Sequence, residues 1–290
     1  MKTALIQQKY YGSKKATIKA TKSKVLEASA NGVKLVVLQE LHQNEYFCQS
    51  EDTRFFDYAL SFKEDIAYWS TVAKEANVVL VVSLFEARAM GLYHNTAVVF
   101  EADGSVAGKY RKMHIPDDPN FYEKFYFTPG DLGFEPIDTS VGRVGVLICW
   151  DQWYPEAARL MTLKGAQMLI YPTAIGWFDE DSKDEKARQL DSWITIQRSH
   201  AIANGIPVLS CNRVGFEADS SGVSDGIRFW GNSFVCDSGG HLIAHASHQD
   251  EVILYANIDK NYTKEVRDIW PFLRDRRIEC YGDITKRYCD

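Results

Sequence analysis

Short apolar runs recur along the chain at lengths that suit buried strands. They cover Thr3–Gln7, Lys34–Gln39, Val78–Phe85, Thr96–Glu101, Arg143–Cys149, Gln167–Tyr171, Pro207–Asn212, Ser233–Asp237 and Glu251–Asn257. Longer stretches between them, Lys14–Ala30, Lys63–Ala76, Tyr154–Lys164 and Lys186–Ala203, read as helices. The first half alternates strand and helix. After Val78 strands also come in pairs, joined at Ala102-Asp-Gly-Ser105 and Asp237-Ser-Gly-Gly240, which read as hairpin turns. The pattern predicts an α/β fold with mixed sheets and helices packed on their faces.

A weak internal repeat refines this. His94-Asn-Thr-Ala-Val-Val-Phe, a turn and Gly104-Ser-Val-Ala-Gly resemble Gly231-Asn-Ser-Phe-Val-Cys, a turn and Gly240-His-Leu-Ile-Ala. Two related halves would place two sheets face to face with helices outside; chance likeness of two hairpins is the alternative. Residues 1–269 read as one domain. Residues 270–290 have little periodicity yet carry Trp270, Phe272, Leu273 and Tyr281, so a tail packing on the domain or on another subunit is expected. The dense mixed charge of Asp179–Arg188 reads as a solvated helix start.

Composition bounds the chemistry. The 290 residues are 46% hydrophobic and 25% charged, enough for a large core. A net charge of −6 argues against non-specific nucleic-acid binding and suits a small cationic or neutral ligand. Six scattered cysteines with no CxxC pair argue against a zinc site or a disulfide framework and favour a reducing, cytoplasmic setting. No signal-peptide pattern or membrane-length apolar run is expected, and GxGxxG and GxxxxGK[ST] are absent, so no cofactor and no metal are expected.

Three segments carry candidate chemistry. Val144-Gly-Val-Leu-Ile-Cys149 runs into Trp150-Asp-Gln-Trp-Tyr-Pro-Glu156. A thiol at such a strand-to-helix junction lies near free backbone N–H groups and the positive end of a helix dipole, which favour thiolate and can hold an oxyanion. Glu40 ends the strand Val33-Lys-Leu-Val-Val-Leu-Gln, where partial burial would raise its pKa into general-base range. Lys112, in Gly108-Lys-Tyr-Arg-Lys-Met-His-Ile-Pro116, offers an ammonium to an oxyanion and to the thiolate. Taken singly, each reads more simply as a buried core cysteine, a solvated glutamate or a surface lysine. A papain-like pairing of Cys149 with His114 would leave Glu40 and Lys112 unexplained.

A strand-ending Glu, Lys and Cys in this order resembles the nitrilase superfamily of carbon–nitrogen hydrolases. Matching stretches are Val37-Leu-Gln-Glu-Leu41, Tyr110–Pro116, Ile148-Cys-Trp-Asp151 with Pro155-Glu156, Asn204 to Arg213, and Trp230-Gly-Asn-Ser-Phe234. The resemblance implies a four-layer αββα sandwich with Cys149 as nucleophile, Glu40 as general base and Lys112 as oxyanion support. Glu123 would be an additional glutamate orienting Lys112 or substrate. It also implies pairing of subunits through the helix Tyr154–Lys164 into a homo-oligomer built from dimers.

Within the superfamily the pattern most resembles the N-carbamoylputrescine amidases, through Glu45-Tyr-Phe-Cys-Gln49, the His114–Glu123 insertion and Tyr171-Pro-Thr-Ala-Ile-Gly176. This implies a small carbamoyl amine as substrate, with Tyr46, His114, Trp150, Tyr154, Trp177, Asp179 and Glu180 in its pocket. β-Ureidopropionases and other amidases or nitrilases are rivals, as is a catalytically silent binding member. Two departures stand out. Trp177-Phe-Asp179 replaces the usual Ser-Glu-Pro, and Ile278 stands where Pro is usual in the tail. The acids Asp117, Asp118, Glu123, Asp179 and Glu180 favour a cationic substrate, while Arg111 and Arg188 leave a ureido acid open.

Overall fold

A computed structural model of residues 1–290 gathers the apolar runs into two six-stranded sheets. The first half contributes β1 (Lys2–Gln7), α1 (Lys14–Ala30), β2 (Leu35–Leu38), α2 (Phe62–Ala76), β3 (Val79–Ala89), β4 (Leu92–Phe100) and β5 (Val106–Arg111), followed by the one-turn α3 (Glu123–Tyr126). The second contributes β6 (Ile137–Thr139), β7 (Gly142–Val146), α4 (Pro155–Leu163), β8 (Met168–Thr173), β9 (Gly176–Trp177), α5 (Lys183–Asn204) and β10 (Val208–Asn212). It continues through β11 (Val214–Glu217), β12 (Ile227–Trp230), β13 (Phe234–Cys236), β14 (Leu242–His245), β15 (Val252–Asn257) and α6 (Lys260–Ile269).

The repeat is borne out in topology. The first sheet is ordered β15-β1-β2-β3-β4-β5, and its successive pairings are antiparallel, parallel, parallel, antiparallel, antiparallel. Read from β6, the second sheet, β6-β7-β8-β10-β13-β14, has the same series. The two hairpins that resemble each other, β4–β5 and β13–β14, hold equivalent places. Strands β11, β12 and β9 form a third, small antiparallel sheet.

Period-two alternation sorts the layers. Leu5, Val37, Val81 and Val99 join one core cluster with Val146, Leu169 and Leu209 of the second sheet. Their neighbours Ile6, Val36, Leu80 and Val98 pack instead with Val25 of α1 and with Trp69 and Val72 of α2. A one-residue slip in register would exchange these faces. On the far side, Ala157, Ala158 and Met161 of α4 and Trp193 and Ala201 of α5 cover the second sheet. The result is the expected αββα sandwich. The sheets are joined above β2 and β8, where the Glu40 N–H donates to Thr173 O at 3.3 Å.

Three parts depart from the pattern. Helix α6 is strongly amphipathic in charge but buries no residue, so it leaves no apolar stripe to read; its Asp259 cap, accepting from Asn261 N and Tyr262 N, is the signal that marks it. The short strands of the third sheet are too brief to show a period. The tail beyond Ile269 forms two short turns, Ile278–Cys280 and Gly282–Thr285, and buries no residue within the chain. No helix is long and apolar enough to cross a membrane.

Candidate active site

Cys149 stands three residues past β7, at the start of the short helical turn Cys149–Trp153 that leads into α4. Its φ of 41° is left-handed backbone, which costs a non-glycine residue about 1–3 kcal/mol. The Asp151 carboxylate holds this turn. It accepts from Ile148 N at 2.9 Å, Tyr110 Oη at 2.8 Å and His114 N at 3.0 Å, and faces His114 Nδ1 at 2.7 Å. Hydrogen bonds to a charged group contribute about 1.5–3 kcal/mol each, so the network outweighs the strain. It also ties the cysteine turn to the segment just past Lys112. The sequence singled out Asp151 only as part of a motif; its role is visible only in three dimensions.

Lys112 follows β5 directly and is fully buried. Its Nζ donates to Glu40 Oε1 at 2.7 Å and Glu123 Oε2 at 2.6 Å. Asn95 Nδ2 also donates to Glu40 Oε1, at 2.7 Å, and Asn95 is in turn held by Ser83 Oγ at 3.0 Å. Tyr46 Oη donates to Glu123 Oε1 at 2.8 Å. Glu40 Oε2 is buried and has no hydrogen-bond partner. An unpaired buried ion costs several kcal/mol, so three such groups persist only as a cluster.

The electrostatics follow from one ammonium between two carboxylates. Burial works against the Lys112 charge, but Glu123 and Glu40 outweigh it and hold its pKa well above the usual lysine range. Burial, reinforced by Glu40, pushes Glu123 up to about 7 against the pull of Lys112. The Cys149 thiol is pushed well up by burial and then by Glu40, with Lys112 too weak to offset them. Burial and Glu40 thus outweigh the pull toward thiolate that Lys112 exerts.

Cys149 opens on a cleft of about 480 Å³ walled by Trp150, Trp153, Phe121, Phe178 and Trp230. The charged residues lining it are Asp118, Glu185 and Arg188.

The carbon-nitrogen hydrolase family model matches residues 2–268. The chain belongs to the carbon-nitrogen hydrolase family. It is 39% identical over 99% of its length to a citrullinase of Francisella tularensis, covering 99% of that protein. It is 41% identical over 91% of its length to an N-carbamoylputrescine amidase of Arabidopsis thaliana, covering 88% of that protein. A solved carbon-nitrogen hydrolase from Helicobacter pylori G27 superposes with a TM-score of 0.97 at 59% identity, over 100% of this chain and 99% of that one.

This carbon-nitrogen hydrolase brings together Glu40, Lys112, Glu123 and Cys149, as the sequence anticipated. Of the residues expected to bind substrate, Trp150 lines the cleft and the other six do not. Trp177 turns away from the cleft that Ile175, Gly176 and Phe178 line, its Nε1 donating to Lys186 O at 3.1 Å and its ring packing behind Trp230. Asp179 is drawn outward to Arg228, at 2.9 Å, and Glu180 is exposed beside it. Tyr46 serves Glu123. His114 is held by Asp151 and stacks on Tyr154 with ring centroids 3.7 Å apart, so both support the cysteine turn and His114 is no partner for the thiol. Conversely, the charged stretch read as solvated contributes Glu185 and Arg188 at the start of α5, whose cap Ser182 accepts from Glu185 N. A helix start that is both capped and cleft-facing looks, in sequence, like any exposed one.

Proposed function

We propose that this carbon-nitrogen hydrolase removes the carbamoyl group of N-carbamoylputrescine, giving putrescine, carbon dioxide and ammonia, a step of polyamine formation. The observation that supports hydrolysis is Glu40 Oε2, bare and buried, in a cluster that opens on Cys149. Glu40 takes the thiol proton as Sγ attacks the carbamoyl carbon. Lys112 Nζ and the N–H of Trp150, a helix-start group without an intrahelical partner, stabilise the oxyanion. Glu40 returns the proton to the departing ammonia, leaving a thiocarbamate on Cys149. It then activates water, which releases a carbamic acid that decomposes to the amine and carbon dioxide. A urea-type carbonyl is a poor electrophile, and each oxyanion donor is worth about 3 kcal/mol to its transition state.

The cleft supports the substrate. Its aromatic walls suit a short aliphatic chain, and a distal ammonium needs an acid because a desolvated cation is costly. Glu185 is paired with Arg188, so Asp118 is the lining acid outside an ion pair. A second reading, a citrulline-like ureido amino acid, is favoured by Arg188, which could meet an α-carboxylate. Kinetics on both substrates separate them. We expect Asp118→Asn to raise KM for N-carbamoylputrescine at least tenfold with little change in kcat, because the distal end is remote from the chemistry. Arg188→Gln should leave that KM within a few fold. If citrulline is the better substrate and Arg188→Gln abolishes the preference, the second reading replaces the first.

Assembly belongs to the same proposal. Leu160 and Leu163 of α4 and Trp270, Ile278 and Ile284 of the tail are exposed in the single chain. Covering such a surface favours a homo-oligomer built from dimers, with α4 and the tail at the contact. Light scattering should show a dimer or larger species at micromolar concentration; a stable, active monomer would contradict this. Six unpaired cysteines suit a reducing cytoplasm.

A further inference from the structure

Leu41, directly after Glu40, adopts φ 46°, a left-handed conformation that a leucine does not favour by itself. Something outside the turn must hold it. Arg213, buried just past β10, donates from Nη2 to Leu41 O at 2.8 Å, Asn44 O at 3.1 Å and, at longer range, Glu40 O at 3.4 Å. Its Nη1 donates to Glu217 Oε1 at 2.6 Å. Glu217 Oε2 accepts from Tyr46 N at 2.8 Å, and the hydroxyl of that tyrosine is the group that donates to Glu123. The rings of Tyr46 and Phe229 flank the guanidinium at 6.0 and 5.4 Å.

We propose that Arg213 is a positioning residue for Glu40: it clamps the reversed turn after β2 from the other half of the molecule and so fixes where the free carboxylate oxygen lies. Through Glu217 and Tyr46 the same clamp reaches Glu123, so both carboxylates around Lys112 share one external support. Glu217 neutralises Arg213, so the influence on the cluster runs through geometry more than through charge. The planar fork is what the site requires. A lysine ammonium is compact and cannot serve Glu217 and the row of carbonyls together. The proposal rests on the reading of Glu40 as base.

The test uses Arg213→Lys, Glu40→Gln and the double variant in the full-length protein, each checked for folding by circular dichroism and thermal unfolding. Two quantities are read: steady-state kinetics, and the pH profile of Cys149 alkylation by chloroacetamide. A displacement of the base by an ångström costs about 10²-fold. Arg213→Lys should therefore lose about that much kcat with KM little changed, and its alkylation profile should move toward that of Glu40→Gln. In the Glu40→Gln background the Arg213 change should add nothing to the alkylation rate. A folded Arg213→Lys with wild-type kcat and profile, or additive effects in the double variant, would overturn the clamp. If Glu40→Gln itself alkylates and turns over like wild type, the base assignment fails instead. Should Arg213→Lys not fold, Glu217→Gln is read in the same way: kcat falls while KM holds if the clamp is right, and an unchanged kcat overturns it.

Discussion

Cys149→Ala is expected to abolish ammonia release, by up to the order of 10⁶-fold as for other lost nucleophiles, while the protein stays folded. The chemical reason is that no other thiol shares the cluster's opening: Cys149 lines the cleft, whereas Cys48, Cys211 and Cys236 are buried and do not line it. The structural reason is that one Sγ atom at a cleft wall contributes little packing, and its hydrogen bond, to Ala174 O, is long at 3.9 Å. The left-handed turn is held by Asp151 and not by the thiol, so it survives the change. Ammonia assays and thermal unfolding on the same preparation check both halves. Activity within tenfold of wild type would remove Cys149 from the chemistry.

Glu40→Gln should be nearly as severe. The amide keeps the shape and can still accept from Lys112 and Asn95, but it cannot take the thiol proton. Loss of a general base costs about 10²–10⁴-fold, and one carboxylate serving both half-reactions places this variant at the upper end. The wild type should also show an acid limb. Glu123, raised to about 7, takes up a proton as the pH falls through that value. That proton removes a negative charge beside Glu40 and so weakens Glu40 as a base; kcat/KM should decline below about pH 7. For stability the sign is the same as for any acid whose folded pKa is raised: the folded state binds the extra proton between the unfolded value and about 7, so this group's contribution favours folding at low pH and is lost as pH rises through about 7. Activity and this part of stability therefore move in opposite directions. A loss smaller than tenfold in Glu40→Gln would point to another base.

The sandwich was legible because its strands leave strong local signals, whereas the candidate reacting groups were weak singly and legible only as a set in order along the chain. Buried strands leave apolar runs, and Glu40 and Cys149 are polar residues placed where such runs stop, while Lys112 follows the mixed stretch Val106–Arg111. The likeness of two hairpins, weak in letters, was a true sign of the repeated sheet order. The pocket was far less legible. Trp177 missed the cleft because its indole is held by the Lys186 carbonyl, nine positions on, and Asp179 because Arg228, 49 positions on, draws it outward. How far burial beside Glu40 opposes the thiolate at Cys149 was not legible either, because it depends on what the fold packs around the thiol. Asp151 and Arg213 act through contacts 37 and 172 positions apart, which no spacing rule anticipates.

The most direct test of the proposed chemistry is mass spectrometry of the enzyme quenched in acid during turnover of N-carbamoylputrescine, followed by peptide mapping. The site described here predicts an adduct on Cys149 alone, heavier than the free peptide by the mass of substrate less ammonia, and absent from Cys149→Ala. Steady turnover with Cys149 unmodified at every quench time, or the same adduct on another residue, would contradict it.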